Sequence, residues 1–145
     1  EQAAALAEAV AEVGPVTLVC SGLARAEETA GIVGARVGLE PVVDRRFDET
    51  DAGDWTDRPF AEVIAEDPDG FGRFVALDPA WAFPGGESFA GQTARVLDGL
   101  EHWRARAAQD GPIVVVCHGV TIRLALVALR GEDPMAPDNG SLVAL

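Results

Sequence analysis

Two short runs constrain this chain most: VTLVC at residues 16–20 and IVVVC at residues 113–117. Both are β-branched and almost wholly apolar, without the polar alternation of a strand that has one wet face. A strand of that texture must be covered on both sides, the situation of a parallel sheet clothed by helices. The segments around these runs carry helical period. Residues Gln2 to Val13 read as a helix stopped by Gly14-Pro15. Ala24 to Val37 reads as another, with Ala26, Thr29, Ala30 and Val33 on one face and Gly38 as the breaker. Ser88 stands where a helix cap belongs, ahead of Phe89, Val96, Leu97, Leu100 and Trp103 at steps of three and four. Thr121 to Leu129 resumes the same period. Helices alternating with short buried strands predict a three-layer α/β/α sandwich with a mostly parallel sheet. Pro41 to Val43 and Ser141 to Leu145 are read as further strands, and short helices are expected over 59–65 and 71–77. Residues 45–57 show neither period and form an irregular, acid-rich loop.

Composition narrows the function classes. With 145 residues and 48% hydrophobic side chains the chain has material for one packed domain. Its 24 acidic against 11 basic residues give a net charge of −13, which repels nucleic-acid backbones and anionic membranes unless basic residues cluster. Arg45, Arg46, Arg104 and Arg106 lie scattered among acids instead. No stretch approaches the roughly 20 apolar residues that cross a bilayer. A soluble, cytoplasmic protein with no nucleic-acid or membrane partner is the expectation. Cys20 and Cys117 each close a buried strand, which suits structural thiols in a reducing compartment; their spacing matches no zinc pattern. No metal and no cofactor is expected, and no glycine-rich nucleotide fingerprint follows the first strand. The chain opens without Met on residues already at helical period, so a segment is expected to precede it.

In a parallel α/β sheet, sites form where strands end and helices begin. The first such junction is CSGLARAEETA, with Ser21, Gly22 and Arg25 at the helix start. Free amides and a guanidinium fork there suit an anion, although an arginine near Glu27 and Glu28 can equally be a solvated partner of those acids. The second is VVVCHGVTIR, where His118 closes a strand and Gly119 lets a backbone approach a ligand; the alternative is a core histidine satisfied by a carbonyl. The third candidate, Glu49, lies in the loop RRFDETDAGDW, where a carboxylic acid beside a phosphoryl group could protonate a leaving oxygen and a plain surface glutamate would face water. Trp55 can anchor that loop or line a pocket. His102 reads as a solvated helix residue.

Taken together and in order, these pieces resemble the histidine-phosphatase superfamily, the phosphoglycerate-mutase-like group. SGLARAEETA resembles its Ser-x-Leu-x-Arg-Ala-x-x-Thr-Ala segment, FDETDAGDW its Leu-x-Glu-x-x-x-Gly-x-Trp loop, PGGES and CHGVTIR its later turn and second-histidine motif, and NGSLVAL its closing strand. The resemblance covers nearly the whole chain. It implies that Arg25 binds the phosphoryl group, that His118 sits beside it, that Glu49 is the general acid, and that Ser21 and Gly119 shape the pocket. The family's nucleophile is a different histidine, in an Arg-His-Gly motif on a first strand inside the sheet. That motif does not occur here. The implied reading is one N-terminally truncated domain whose intact form hydrolyses a small phosphorylated metabolite through a phosphohistidine. A mutase-type phosphotransferase and an inactive phospho-ligand-binding domain are the alternatives, and a homodimer is left open.

Overall fold

In the computed structural model, which describes residues 2–133 and 137–145, the elements run α1 (Gln2–Val13), β1 (Thr17–Cys20), α2 (Ala24–Val37), β2 (Val42–Val43), two 3-10 turns (Arg45–Phe47 and Gly53–Trp55), α3 (Phe60–Glu66), α4 (Pro68–Val75), α5 (Phe89–Asp110), β3 (Ile113–Val116) and α6 (Gly119–Arg130). The sheet has the order β2-β1-β3 and is parallel throughout. Thr17 pairs with Ile113 and Cys20 with Val116, so β1 and β3 end level with one another.

Alternation along these strands explains their uniform apolarity. Leu18, Cys20, Val114 and Val116 turn to one face and pack on α1 and α2 through Ala7, Val10, Ala26, Ala30 and Val33. Val19 turns to the other, with Ile113, Val115 and Cys117, against Val96 and Leu100 of α5 and Ala125 of α6. Each apolar residue of β1 and β3 meets a helix, giving the three layers that the texture demanded, while Val42 and Val43 of β2 stay exposed. Trp55, Trp81, Phe83, Phe89 and Leu124 form a separate apolar cluster under α3 and α4. Trp55 is 8% exposed there and anchors its loop. No helix among the described residues is long and apolar enough to cross a membrane.

Three boundaries differ from the sequence reading. The second short helix begins at Pro68 rather than Phe71, because the Asp67 carboxylate accepts the Gly70 amide and proline suits the first helical position; what reads as a turn is a capped helix start. The last helix starts at Gly119, directly after His118. The expected strand over Ser141–Leu145 is absent. A strand exists by pairing, and a groove separates this segment from the unpaired edge of β3. Leu142, Val143 and Leu145 stay substantially exposed.

The 45–57 loop is less loose than its composition suggests. Phe47, 1% exposed, enters a notch on α5 at Gly99, where an added Cβ would come within 2.8 Å of its ring. Asp44 caps the first turn, accepting the Arg46 amide, the Arg46 guanidinium and the Trp103 indole N–H. The Arg46 pair holds the Asp44 carboxyl down at about 2. Phe47→Ala should cost about 3–5 kcal/mol of unfolding free energy in a urea titration. A loss below about 1 kcal/mol, the scale of a surface change, would show that the loop is not anchored there.

Candidate active site

The level ends of β1 and β3 bring Ser21 and His118 together although 97 residues separate them. Ser21 N–H continues the ladder to Val116 O at 3.0 Å, and its Oγ lies 2.7 Å from His118 Nε2. Ser21 is fully buried and His118 nearly so. The pair suits a neutral ring. Ser21 Oγ also accepts the Leu23 amide at 3.1 Å, and with the ring neutral and protonated at Nδ1 its hydroxyl hydrogen is the one that bridges to Nε2.

A groove of about 700 Å³ runs along the free edge of β3 to these strand tips. Arg25, Glu49, His118 and Gly119 all line it. Ser21 does not, and touches the groove only through His118. Arg25 projects from the first turn of α2, exposed, with no side-chain hydrogen bond or ion pair to any described residue, so it is not a solvated partner of Glu27 or Glu28. Among the described residues packing does not require glycine at 119: the one atom within 4 Å of an added Cβ would be Pro137 Cγ at 3.9 Å.

Glu49 enters from the loop and caps α6. Its Oε2 accepts the Val120 amide at 3.3 Å; its Oε1 accepts Thr50 N–H at 3.1 Å, Thr121 Oγ1–H at 3.3 Å and Gln92 Nε2–H at 3.4 Å. His118, at the N-cap of α6, supplies no side-chain cap, so a remote carboxylate sits where the helix start favours negative charge. Asp48, next in the loop, accepts the Gly22 amide at 2.6 Å and ties the loop to the start of α2.

Gln92 and Thr121 escaped the sequence reading. Gln92 is 0% exposed, bonds Thr121 Oγ1 at 3.2 Å, and accepts the Thr50 hydroxyl. One signal was available: Gln92 falls between Phe89 and Val96 on the apolar face of α5, where a polar residue needs partners. His102 is exposed and stacks edge-on against Trp103. Burial pushes the Cys117 thiol up to about 12 and raises Cys20 as well, the direction that disfavours the thiolate form. No group of three or more His, Cys, Asp or Glu side chains among the described residues is placed to hold a metal ion.

Burial is the main force on His118 and lowers its pKa below 6.5; Glu49 and Asp48 oppose the shift, while Arg25 and Arg95 reinforce it. The folded protein therefore binds fewer protons at this site than the unfolded chain below that pH. The stabilising contribution of the neutral ring is complete above about pH 6.5 and is lost as the pH falls toward the folded pKa. His118→Asn should accordingly flatten the decline of unfolding free energy between about pH 7 and pH 5. Equal slopes for the variant and the parent would refute the assignment.

The model of the histidine phosphatase superfamily, branch 1, matches residues 1–145. The chain is 39% identical over 140 residues to a glucosyl-3-phosphoglycerate phosphatase of Mycolicibacterium vanbaalenii, covering 90% of this chain and 60% of that protein. A protein of the same name from Mycobacterium tuberculosis is 36% identical over 137 residues, with 88% and 60% covered. The native structure of a mycobacterial glucosyl-3-phosphoglycerate phosphatase superposes with a TM-score of 0.80 at 33% identity, over 92% of this chain and 67% of that one. A probable phosphoglycerate mutase of Yersinia enterocolitica is 28% identical over 135 residues, covering 93% of this chain and 62% of that protein. The chain thus spans about 60% of the length of these two glucosyl-3-phosphoglycerate phosphatases.

Proposed function

Because the chain belongs to the histidine phosphatase superfamily, we propose that the protein containing it hydrolyses a small phosphorylated metabolite through a phosphohistidine. The observation that carries this reading is the convergence of Arg25, Glu49 and His118 on one end of one groove. Arg25 is the uncommitted guanidinium that takes two phosphoryl oxygens. His118 is neutral in the empty site. An arriving phosphoryl dianion raises its proton affinity, so it becomes a charged donor to the transferring group. Ser21 keeps the ring oriented, and the missing Cβ at Gly119 leaves room for the phosphoryl oxygens at the start of α6.

The nucleophile is a histidine outside this sequence, on a further strand of the same domain that seats along the open edge of β3. Support for that placement comes from the groove itself: it follows Val114, Val115 and Val116 to the strand tips, beside backbone groups with no partner among the described residues. In the first step the imidazole nitrogen bonds to phosphorus as the bond from phosphorus to the alcohol oxygen breaks, and Glu49, which takes up a proton from solvent when the phosphoryl dianion binds beside it, passes that proton to the leaving alkoxide. Water then attacks the phosphohistidine, passing a proton to Glu49, and the break of the phosphorus–nitrogen bond frees phosphate. Glucosyl-3-phosphoglycerate, the substrate in the name of the mycobacterial relatives, is the first compound to test. Phosphotransfer to a second hydroxyl is the alternative favoured by the mutase relative. Cys20 and Cys117, both free thiols, support a reducing, cytoplasmic setting.

The full-length protein should release p-nitrophenol from p-nitrophenyl phosphate, and residues 1–145 alone should not. Arg25→Ala in the full-length protein should lower kcat/KM by about a hundredfold or more, the scale of a lost transition-state contact. Its melting temperature should hold, since the side chain has no partner to lose. Unchanged turnover in Arg25→Ala, or its unfolding, would remove the phosphoryl-binding role.

A further inference from the structure

We propose that Arg95 is a positioning residue for Glu49, acting by fixing the backbone that carries the acid. An arginine has five N–H donors in a rigid planar fork, and here all five are engaged. Nε and Nη2 meet the two Glu87 carboxylate oxygens at 2.8 Å each. Nη1 donates to the carbonyls of Arg46 and Asp48, both at 2.8 Å, and Nη2 also reaches the Glu49 carbonyl at 3.3 Å. No donor remains for a ligand. Three carbonyls of one loop, those of Arg46, Asp48 and Glu49, are gathered by one guanidinium projecting from α5, and Glu87 fixes the plane of that guanidinium from behind.

Distances decide what holds the acid. The contacts to the Glu49 carboxylate range from 3.1 to 3.4 Å, longer than the usual 2.9–3.0 Å of a good amide hydrogen bond, whereas four of the five Arg95 bonds are 2.8 Å. The side chain of Glu49 is guided loosely and its own carbonyl is held at 3.3 Å, while the loop backbone just before it is clamped at 2.8 Å through the carbonyls of Arg46 and Asp48. That combination lets the carboxyl group exchange its resting partners for a leaving oxygen without losing its place. Lysine keeps the charge of Arg95 but offers one nitrogen, which cannot span the carboxylate and three carbonyls. The inference rests on the acid role of Glu49 proposed above.

The test compares two esters in the full-length protein: p-nitrophenyl phosphate, whose phenolate leaves without help, and glycerol phosphate, whose alkoxide needs the proton. Arg95→Lys should slow glycerol phosphate about tenfold or more and p-nitrophenyl phosphate by no more than about threefold, as loss of acid catalysis requires. Glu87→Gln should shift the two rates in the same direction by less, and covers the case in which Arg95→Lys fails to fold. In the Glu49→Gln background Arg95→Lys should add no further loss, because both changes remove one function. Equal slowing of both esters, or full multiplication of the two losses, would overturn the positioning role while leaving the acid role intact. If Glu49→Gln alone spares glycerol phosphate, the acid role falls, and the inference falls with it.

Discussion

The parallel register of β1 against β3 is the constraint on which the site depends. With Thr17 opposite Ile113 and Cys20 opposite Val116, the two strands reach the same height, and the residues just past them, Ser21 and His118, share a hydrogen bond. A slip of one residue would exchange the faces of Leu18 and Val19 and carry that pair apart. Both faces of these strands are buried against different helices, so the register is enforced along the whole strand and transmitted to the tips.

A second, irregular element completes the site, and its stability has another source. Beyond two short 3-10 turns, no helix or strand ladder shapes residues 45–57. Instead Phe47 is plugged against α5, Asp44 gathers three donors, Asp48 holds the Gly22 amide, and Arg95 collects loop carbonyls. Each of these contacts reaches α5 or the start of α2, the elements that flank the sheet tips. Glu49 therefore arrives beside α6 on a frame set by the core, and the cost of an unladdered backbone is offset by side chains brought from elsewhere in the chain. Burial of His118 then favours its neutral imidazole close to Arg25, a cation with no side-chain partner among the described residues.

Much of this was legible in the order of residues. The alternating elements match to within a residue or two for α1, α2, β1 and β3, and α5 matches at its start, because hydrophobic period and glycine or proline stops act locally. Arg25, Glu49 and His118 were singled out by their places after strands and in a loop. Less could be read where an apparent turn conceals a cap, as at Asp67, or where a polar residue on an apolar face finds buried partners, as at Gln92. Ser21 was read as part of the pocket, whereas its buried hydroxyl serves the histidine ring.

The sequence by itself determined which segments are helix and which are buried strand, and hence the layered α/β class, since those preferences are settled within a turn or a few residues of backbone. Only the tertiary structure decided that Ser141–Leu145 forms no strand, that three residues distant in sequence line one groove, and that a single guanidinium from α5 holds the loop of Glu49. Those outcomes turn on which partner lies within about 3 Å, and hydrogen bonds formed across the fold leave no periodic mark on the chain.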